Sequence, residues 1–395
     1  MSSSSESMLQ TGVQCYTKQR WLLTIAGLVF YVVDVLTDVG LALRYFQQKD
    51  FLWTALTLLF VLAGLGVTQL FSYVWYQDDL KDPLQNPEAE PRVSSMSRGA
   101  VTALHLLGVG VFTRYHHLLR KGFRVVWKSM DSCTEDQRRA EHHRLFCLAT
   151  DLSMLKLFEA FLESVPQLLL QIYIVLRNRE GSAMQYISMA FSFLTISWAL
   201  VDYRRCLRRS LPHIREMPSG LPTFIYLLYK LCSISSHILS LALLLLLSPY
   251  TAVALTVLWL LGALWTHLQG TCFCSAGGLE LLYQGVIGVI LTFTFFNVKG
   301  QDTQGEMVVY YGFHGAVNIA APILLALLGP ELLTPPLLLT VCGLIIGGAV
   351  LGLVSLLLYY LLLHPGEGEG READEVDGPR GETERERRVK NFIQP

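Results

Sequence analysis

The feature that most constrains the fold is a series of apolar runs, each about twenty residues long, that recurs along the whole chain. A helical run of that length spans the ~30 Å hydrocarbon core of a bilayer. Only 16% of the 395 residues are charged, whereas a soluble domain carries about 25%. The sequence therefore predicts an all-α polytopic membrane protein.

The apolar runs and the basic loops together predict a topology. Basic residues near position 18 and in the segments 114–144 and 204–215 are expected to face the cytoplasm. With both termini cytoplasmic, the number of crossings must be even. Full spans are predicted at 21–45, 51–76, 164–177, 184–203, 222–247, 250–269 and 336–363. One of 279–298 and 308–328 is then expected to cross and the other to be re-entrant, which gives about eight spans.

Between the second and third predicted spans lies a segment of a different kind, residues 99–128. It begins apolar and becomes basic, so we expect a re-entrant or interfacial amphipathic helix on the cytoplasmic side. The predicted organisation begins with a cytoplasmic N-terminus at 1–20 and a first membrane half at 21–208. A cytoplasmic loop at 209–221, a second membrane half at 222–363 and a cytoplasmic tail at 364–395 follow.

The stretch from Asp151 to Gln171 is apolar enough for a membrane helix, yet it carries several polar residues. At ~100° per residue, one slowly drifting side of the helix would carry Asp151, Glu159, Glu163, Gln167 and Gln171. Lys156 precedes Glu159 by one turn, close enough to pair with it, and Pro166 is expected to split the helix. Each ionisable group at the membrane centre costs at least ~2.5–3.5 kcal/mol, so such groups face a partner or a wet cavity. This stretch therefore predicts a polar path.

Two smaller polar patches accompany this stretch in the first half of the chain. Asp34 and Asp38 lie one turn apart, with Tyr31 and Tyr45 roughly on the same side. Asp202 and Arg205 are spaced i, i+3 near a cytoplasmic end. The alternative for all these groups is structural, because buried ion pairs can hold helices in register without any transport role.

The sequence predicts no covalent chemistry. It contains no nucleophile motif, Walker loop or dinucleotide fingerprint, so no catalytic residue, metal or cofactor is expected, and no nucleic-acid partner. The paired histidines at 116–117 and 142–143 are adjacent and do not share a helix face. The isolated histidines of the second half are interpreted as packing residues.

The tail contains the short sequence Asp374-Glu375-Val376-Asp377-Gly378. It resembles the recognition tetrapeptide of executioner caspases, with Asp377 before the scissile bond and the small Gly378 after it. Neighbouring glycine, proline and glutamate residues favour an extended and accessible segment, which a protease requires. The alternative is an accidental match in an acidic tail.

Several of these stretches together resemble one family. They are Y-V-V-D-V-L-T-D at 31–38, T-D-L-S-M-L-K-L-F-E-A-F-L-E-S-V-P-Q-L at 150–168, I-S-W-A-L-V-D-Y at 196–203, T-F-F-N-V-K-G-Q at 294–301 and the tail motif. The chain resembles the XK-related family of plasma-membrane phospholipid scramblases, and most closely its caspase-activated members. The similarity runs from about residue 16 to the tail.

The resemblance implies a fold, a function and partners. It implies eight spanning helices plus re-entrant segments in two pseudo-symmetric halves, and exposure of phosphatidylserine during apoptosis without calcium or ATP. The implied partners are phospholipids, an executioner caspase and a single-pass immunoglobulin-type chaperone subunit. The tail would be an inhibitory plug until it is cut after Asp377. The implied headgroup path comprises Asp34, Asp38, Asp151, Lys156, Glu159, Glu163, Gln167, Asp202 and Arg205. The rival hypothesis is a non-scrambling scaffold or a transporter of a small solute.

Overall fold

The computed structural model describes residues 16–81, 98–127, 134–181, 183–210, 217, 220–271, 273–274, 277–297 and 304–363. All regular structure in these ranges is helical. The helices are α1 (Lys18–Gln47), α2 (Phe51–Lys81), α3 (Arg98–Leu106), α4 (Gly110–Trp127), α5 (Glu135–Glu159), α6 (Val165–Asn178), α7 (Ala183–Ser210), α8 (Leu221–Leu247), α9 (Tyr250–Leu268), α10 (Gly277–Phe293), α11 (Gln304–Leu328) and α12 (Pro335–Leu358). Two π-helical turns, Ala160–Ser164 and Tyr359–Leu363, follow α5 and α12.

Seven of the described helices are long and apolar enough to cross a bilayer, which confirms the all-α polytopic prediction. They are α1, α2, α7, α8, α9, α11 and α12. The sequence left open which of 279–298 and 308–328 is re-entrant, and that choice stays a prediction. The apolar helix Gly277–Phe293 is the shorter one, whereas Gly305–Leu328 has 24 residues. The span predicted at 164–177 falls in α6, whose 14 residues reach only ~21 Å, too short to cross alone.

The segment predicted to be amphipathic forms two short helices, α3 and α4. Gly108, with φ +76°, makes the turn between them, a left-handed conformation that glycine adopts without steric cost. Neither helix is among the seven long apolar ones. One face of α4 is buried, at Gly110, Val111, Arg114, Tyr115, Leu118 and Gly122. This i, i+3, i+4 spacing confirms the amphipathic prediction.

The chain does not break at Pro166, contrary to the predicted split. Ser164 and Val165 keep right-handed helical dihedrals, and the Val165 N–H donates to the carbonyl of Ala160, five residues earlier. Proline has no N–H for the carbonyl of residue 162 and its ring crowds the preceding turn. A wide π turn on the N-terminal side of Pro166 accommodates both effects, so the helical path continues from α5 into α6.

The chain divides into two compact units. The described part of the first comprises α1 to α4, α5 as far as Lys156, and the end of α7 from Tyr203. Its core contains aromatic and aliphatic side chains from all of these elements except α2 and α3. The buried members are Tyr16, Tyr31, Val111, Tyr115, Leu118, Leu145, Phe146, Leu148, Ala149, Leu152 and Cys206.

The second unit comprises Leu157–Asp202 and the described residues from Met217 onward. Helix α8 is its central element and packs against α6, α11 and α12. Helices α9 and α10 form a close pair, because Gly262 and Gly288 let the two backbones approach each other. The indole N–H of Trp259 donates to the Gly285 carbonyl at 2.9 Å across this pair. The outer face of α9 exposes Val253, Leu260 and Leu264, as expected for a helix that contacts lipid.

Candidate functional site

The polar groups buried in the first unit centre on Arg114, which lies on the inner face of α4. Its guanidinium is 3.4 Å from the Asp151 carboxylate of α5, measured from Nη1 to Oδ2. The two side chains are 7% and 0% exposed. The pair therefore joins α4 to α5 through a nearly dehydrated ionic contact, whose strength depends on well-directed hydrogen bonds.

Ser72 of α2 supplies two of those hydrogen bonds. Arg114 Nε donates to the Ser72 hydroxyl and Nη2 donates to the Ser72 carbonyl, both at 2.9 Å. The guanidinium carbon also lies 5.8 Å from the centre of the Trp75 ring. One arginine thus connects three helices, and its planar fork sets their register.

His105 of α3 extends this network. Its Nδ1 lies 2.9 Å from the Val101 carbonyl, and its Nε2 lies 3.1 Å from the Ser72 hydroxyl. A carbonyl only accepts, so the neutral ring carries its proton on Nδ1 and accepts the Ser72 hydroxyl proton at Nε2. Burial, and to a smaller extent Arg114, lower the pKa of His105, which favours this neutral form. Hydrogen bonds therefore link Val101 to Asp151 through His105, Ser72 and Arg114, with Arg114 donating in both directions.

Lys156, which the sequence placed in the headgroup path, lies at the end of the first unit. Its Nζ is 5.0 Å from the centre of the Tyr115 ring, a distance at which a cation is attracted to the face of an aromatic ring. Lys156 is half-buried, whereas Tyr115 is fully buried. The Tyr115 ring belongs to the core of the unit, so its position is fixed. The flexible ammonium group of Lys156 lies against it.

The predicted patch on α1 lies partly inside the first unit. Asp38 is buried, and Asp34 one turn earlier is half-buried. Tyr31 and Tyr45 are also buried, and their seven-residue spacing from Asp38 places all three on one helix face. The structure thus confirms that the tyrosines and Asp38 share a side.

In the second unit, the path residues Glu159, Glu163 and Gln167 are all buried. Glu163 lies within the π turn Ala160–Ser164. Because this turn is wider than an α turn, the ~100° spacing used in the prediction does not hold across it. Gln171 beyond the turn is half-buried. The polar side chains therefore do not follow one regular α-helical stripe.

Asp202 and Arg205 occupy successive turns of α7, and both are half-buried. Their neighbours in the chain, Val201 and Cys206, are buried. The role of these two residues as a polar patch of the path stays a prediction, as does the pairing of Lys156 with Glu159.

The second unit contains a buried cation that the sequence did not assign to a site. Lys230 of α8 is 3% exposed, and its Nζ donates to the Thr294 hydroxyl at 3.0 Å and to the Phe295 carbonyl at 3.1 Å. It also lies 4.9 Å from the centre of the Tyr229 ring. The ammonium is therefore held between α8 and the residues that follow α10.

Two histidines that were interpreted as isolated packing residues contact each other. The ring centres of His237 on α8 and His314 on α11 are 4.2 Å apart. His237 Nδ1 lies 3.3 Å from Asn318 Oδ1, and His314 Nδ1 lies 2.9 Å from the Tyr310 carbonyl. Within the described ranges, no three His, Cys, Asp or Glu side chains are grouped so that they could hold a metal ion. The pair thus belongs to the packing of α8 against α11.

Comparison with known proteins decides the family. The family model described as "XK-related protein" matches residues 22–365, which is most of the chain. The chain belongs to the XK-related family. The sequence motifs quoted above had indicated this membership, and the match confirms it.

Relatives within the XK-related family cover almost the whole chain. It is 53% identical over 380 residues to XK-related protein 9 of Tetraodon nigroviridis, covering 96% of this chain and 99% of the relative. It is 34% identical over 364 residues to XK-related protein 8 of Pan troglodytes, covering 91% and 87%. XK-related protein 8 of Tetraodon nigroviridis is 32% identical over 374 residues, covering 91% and 86%. The motifs quoted above also predict a particular likeness to family member nine, and the 53% identity to XK-related protein 9 confirms it.

The caspase motif of this XK-related chain, Asp374 to Gly378, lies outside the described residues. The structure describes the chain as far as the π turn Tyr359–Leu363, where Tyr359 is fully buried against α8. Its ring centre is 4.9 Å from that of Tyr226. Tyr359 thus anchors the start of the last described turn, whereas Leu361 and Leu362 are exposed.

Sequence reasoning missed Arg114, Ser72, His105 and Lys230. Arg114 was counted only as part of a basic, cytoplasmic segment. Its spacing from Val111 and Leu118 placed it on the apolar face of α4, and that was the available signal. For Lys230 the signal was its position inside a long apolar run, where a charge requires a partner. Ser72 gave no signal, because a serine in an apolar helix commonly bonds its own backbone.

Proposed function

We propose that this protein is a phospholipid scramblase that executioner caspases activate by cleavage after Asp377. It would expose phosphatidylserine at the plasma membrane during apoptosis by moving lipids in both directions down their gradients. Membership of the XK-related family supports this reading, together with the caspase-like motif in the tail. The observation that carries the proposal is the set of buried ionisable side chains in a chain with seven membrane-length helices, because such groups mark ion and substrate paths by default.

The proposed path suits a phospholipid headgroup, which carries a phosphate and often an amine or a carboxylate. In the first unit, Lys156 provides a cation, and Asp34, Asp38 and Asp151 provide anions. In the second unit, Glu159, Glu163 and Gln167 provide further polar groups. Headgroups would exchange water for these groups while the acyl chains remain in the bilayer. Lipid movement of this kind needs no covalent step, cofactor or metal, since the protein only lowers a barrier.

Regulation is assigned to the tail. Before cleavage, the segment Gly378–Pro395 would hold the closed state, and its removal would shift the equilibrium toward the open one. The proposal requires both termini to lie in the cytoplasm, where the caspase acts and where the basic segments 114–144 and 204–215 are expected. A single-pass immunoglobulin-type chaperone is the proposed subunit for delivery to the plasma membrane.

The deciding experiment is reconstitution into liposomes that contain fluorescent phosphatidylserine. Protein cleaved by caspase-3 should equilibrate the two leaflets, and both intact protein and uncleavable Asp377→Ala should remain slow. Cleaved protein that is inert, alone and with the chaperone subunit, would contradict the proposal. Solute flux that is independent of cleavage would instead support the rival reading of a small-solute transporter.

A further inference from the structure

The inner face of α1 has a gap opposite Lys156, and Gly27 creates it. A β-carbon built at position 27 would overlap the Lys156 ammonium nitrogen. The same β-carbon would lie 3.5 Å from Lys156 Cε and 3.6 Å from the Tyr115 hydroxyl. The ammonium therefore occupies the place that any other residue at position 27 would fill.

The other side of this gap is rigid. Tyr115 is fully buried in the core of the first unit, and the ring centres of Tyr31 and Tyr115 are 6.2 Å apart. The Lys156 ammonium lies 5.0 Å from the centre of the Tyr115 ring. The cation thus lies between an aromatic ring that cannot move away and a helix backbone that carries no side chain at this point.

We propose that Gly27 is a positioning residue for the headgroup path, which sets where the Lys156 ammonium lies. This inference rests on the proposed function in so far as Lys156 contacts lipid headgroups. Gly27 itself has no side chain that could touch a lipid, so it acts through the lysine. Nothing in the sequence distinguishes Gly27 from the other glycines in apolar helices, so no motif indicated this role.

The chain offers a matched control on the same helix. Gly40, the other glycine of α1, has open space around the position of a β-carbon. Alanine at either site raises the helix propensity of α1 equally. Only at position 27 does the added methyl group meet the charged end of another side chain. That end is flexible, so Gly27→Ala should displace the ammonium while α1 keeps its place.

The experiment compares Gly27→Ala, Gly40→Ala, Lys156→Met and the double variant Gly27→Ala/Lys156→Met, all in the full chain. The first measurement is the rate at which an amine-reactive reagent modifies Lys156, read by peptide mass spectrometry. The second is the rate of phosphatidylserine and phosphatidylcholine transfer in liposomes after caspase cleavage. Unfolding temperatures of all four variants check the fold.

We expect Gly27→Ala to raise the labelling rate of Lys156, with Gly40→Ala unchanged. Phosphatidylserine transfer should fall by about tenfold in both Gly27→Ala and Lys156→Met, the loss expected when one charged donor is withdrawn from a ligand. The double variant should be no slower than either single variant. Gly27→Ala, Lys156→Met and the double variant should all change the ratio of the phosphatidylserine and phosphatidylcholine transfer rates by the same factor. A glycine that only packed helices would not change this ratio.

Unchanged labelling in Gly27→Ala would overturn the inference. Losses that multiply in the double variant would overturn it as well, because Gly27 would then act without Lys156. If cleaved wild-type protein does not move lipid, the proposed function fails, whereas the labelling rates still decide whether Gly27 positions the lysine.

Discussion

Arg114 and Asp151 form an ion pair that is almost completely buried, at 7% and 0% exposure. A buried pair gains little over an apolar pair of similar shape, but loss of one partner leaves the other charge in a medium that cannot solvate it. The Ser72 hydrogen bonds orient the arginine. The main free-energy cost of the pair is therefore the desolvation of its two charged groups. At the residue scale, the pair is therefore expected to be sensitive to single substitutions and tolerant of a double one.

The first prediction concerns this pair. Arg114→Met or Asp151→Asn alone should destabilise the protein by about 3–5 kcal/mol, because each leaves one buried charge uncompensated. The double variant should lose less than the sum of the two. The measurement is a double-mutant cycle on unfolding in detergent.

The control is the surface pair Arg144–Glu141 at 3.0 Å, with side chains 37% and 32% exposed. Arg144→Met should change stability by only about 0–1 kcal/mol, because water and salt screen the contact. Equal effects at the two sites would contradict the burial argument.

The second prediction concerns His105. Its pKa is lowered from the ordinary 6.5, chiefly by burial, so the folded state binds fewer protons than the unfolded state below that value. The stability contributed by the neutral ring is complete above about pH 6.5 and is lost as pH falls toward the lowered pKa. Protonation would place a hydrogen on Nε2, which accepts the Ser72 hydroxyl proton.

Unfolding temperatures at pH 7.5 and about pH 5.5 should therefore differ in wild-type protein, and His105→Gln should reduce that difference. His142 contributes to the same pH dependence of stability, because burial also lowers its pKa. Its Nδ1 accepts the Tyr16 amide proton at 3.0 Å. His116→Gln, at an exposed site on α4, serves as the control. An unchanged pH difference in His105→Gln would exclude the hydrogen-bond chain as a pH-sensitive element.

At the element scale, α9 and α10 of the second unit approach each other closely at Gly288. A β-carbon on Gly288 would lie 2.7 Å from the Ala263 nitrogen and 2.8 Å from the Trp259 carbonyl oxygen. These are backbone atoms, so the helices would have to separate. Lipid provides no hydrophobic force between helices, and close packing of small residues is what holds such a pair together.

The third prediction follows from this contact. Gly288→Ala should lower the stability of the protein by about 1–3 kcal/mol, the usual cost of overpacking. Gly285→Ala, at a position with open space three residues earlier, should be neutral or slightly stabilising. Thermal unfolding in detergent measures both variants. A Gly288→Ala protein as stable as wild type would show that the helix pair can separate without cost.

At the scale of the whole molecule, the seven membrane-length helices expose apolar side chains such as Leu260 on α9 and Leu357 on α12. In water such a surface would aggregate, whereas in a bilayer it contacts lipid tails. A smaller set of ionisable side chains is buried, including Asp38 on α1, Arg114 on α4, Asp151 on α5 and Glu163 in the π turn. This division between an apolar exterior and polar internal positions is the basis of the proposed lipid path.

The fourth prediction tests that path. Glu163→Gln and Asp34→Asn should each slow lipid transfer by cleaved protein in liposomes, by about tenfold for every 1.4 kcal/mol of lost stabilisation, with unfolding temperatures near wild type. Glu306→Gln, at an exposed carboxylate early in α11, should leave the rate unchanged. Unchanged rates in both Glu163→Gln and Asp34→Asn would leave these two carboxylates with a structural role only.

The sequence by itself determined the fold class, the positions of most of the membrane helices and the amphipathic character of α4. Those properties depend on the length and periodicity of apolar residues, which are local quantities. It also located the buried polar residues of α1 and α5. It failed at Pro166, because a π turn and a broken helix have the same local sequence signal, and tertiary packing selects between them.

Only the tertiary structure decided which groups these polar residues meet. Arg114 contacts Ser72, 42 residues away, and Asp151, 37 residues away. Gly27 faces a lysine more than a hundred residues later in the chain. Contacts of this kind depend on how separate helices rotate and pack against each other, and that rotation is set by the fit of all their side chains together.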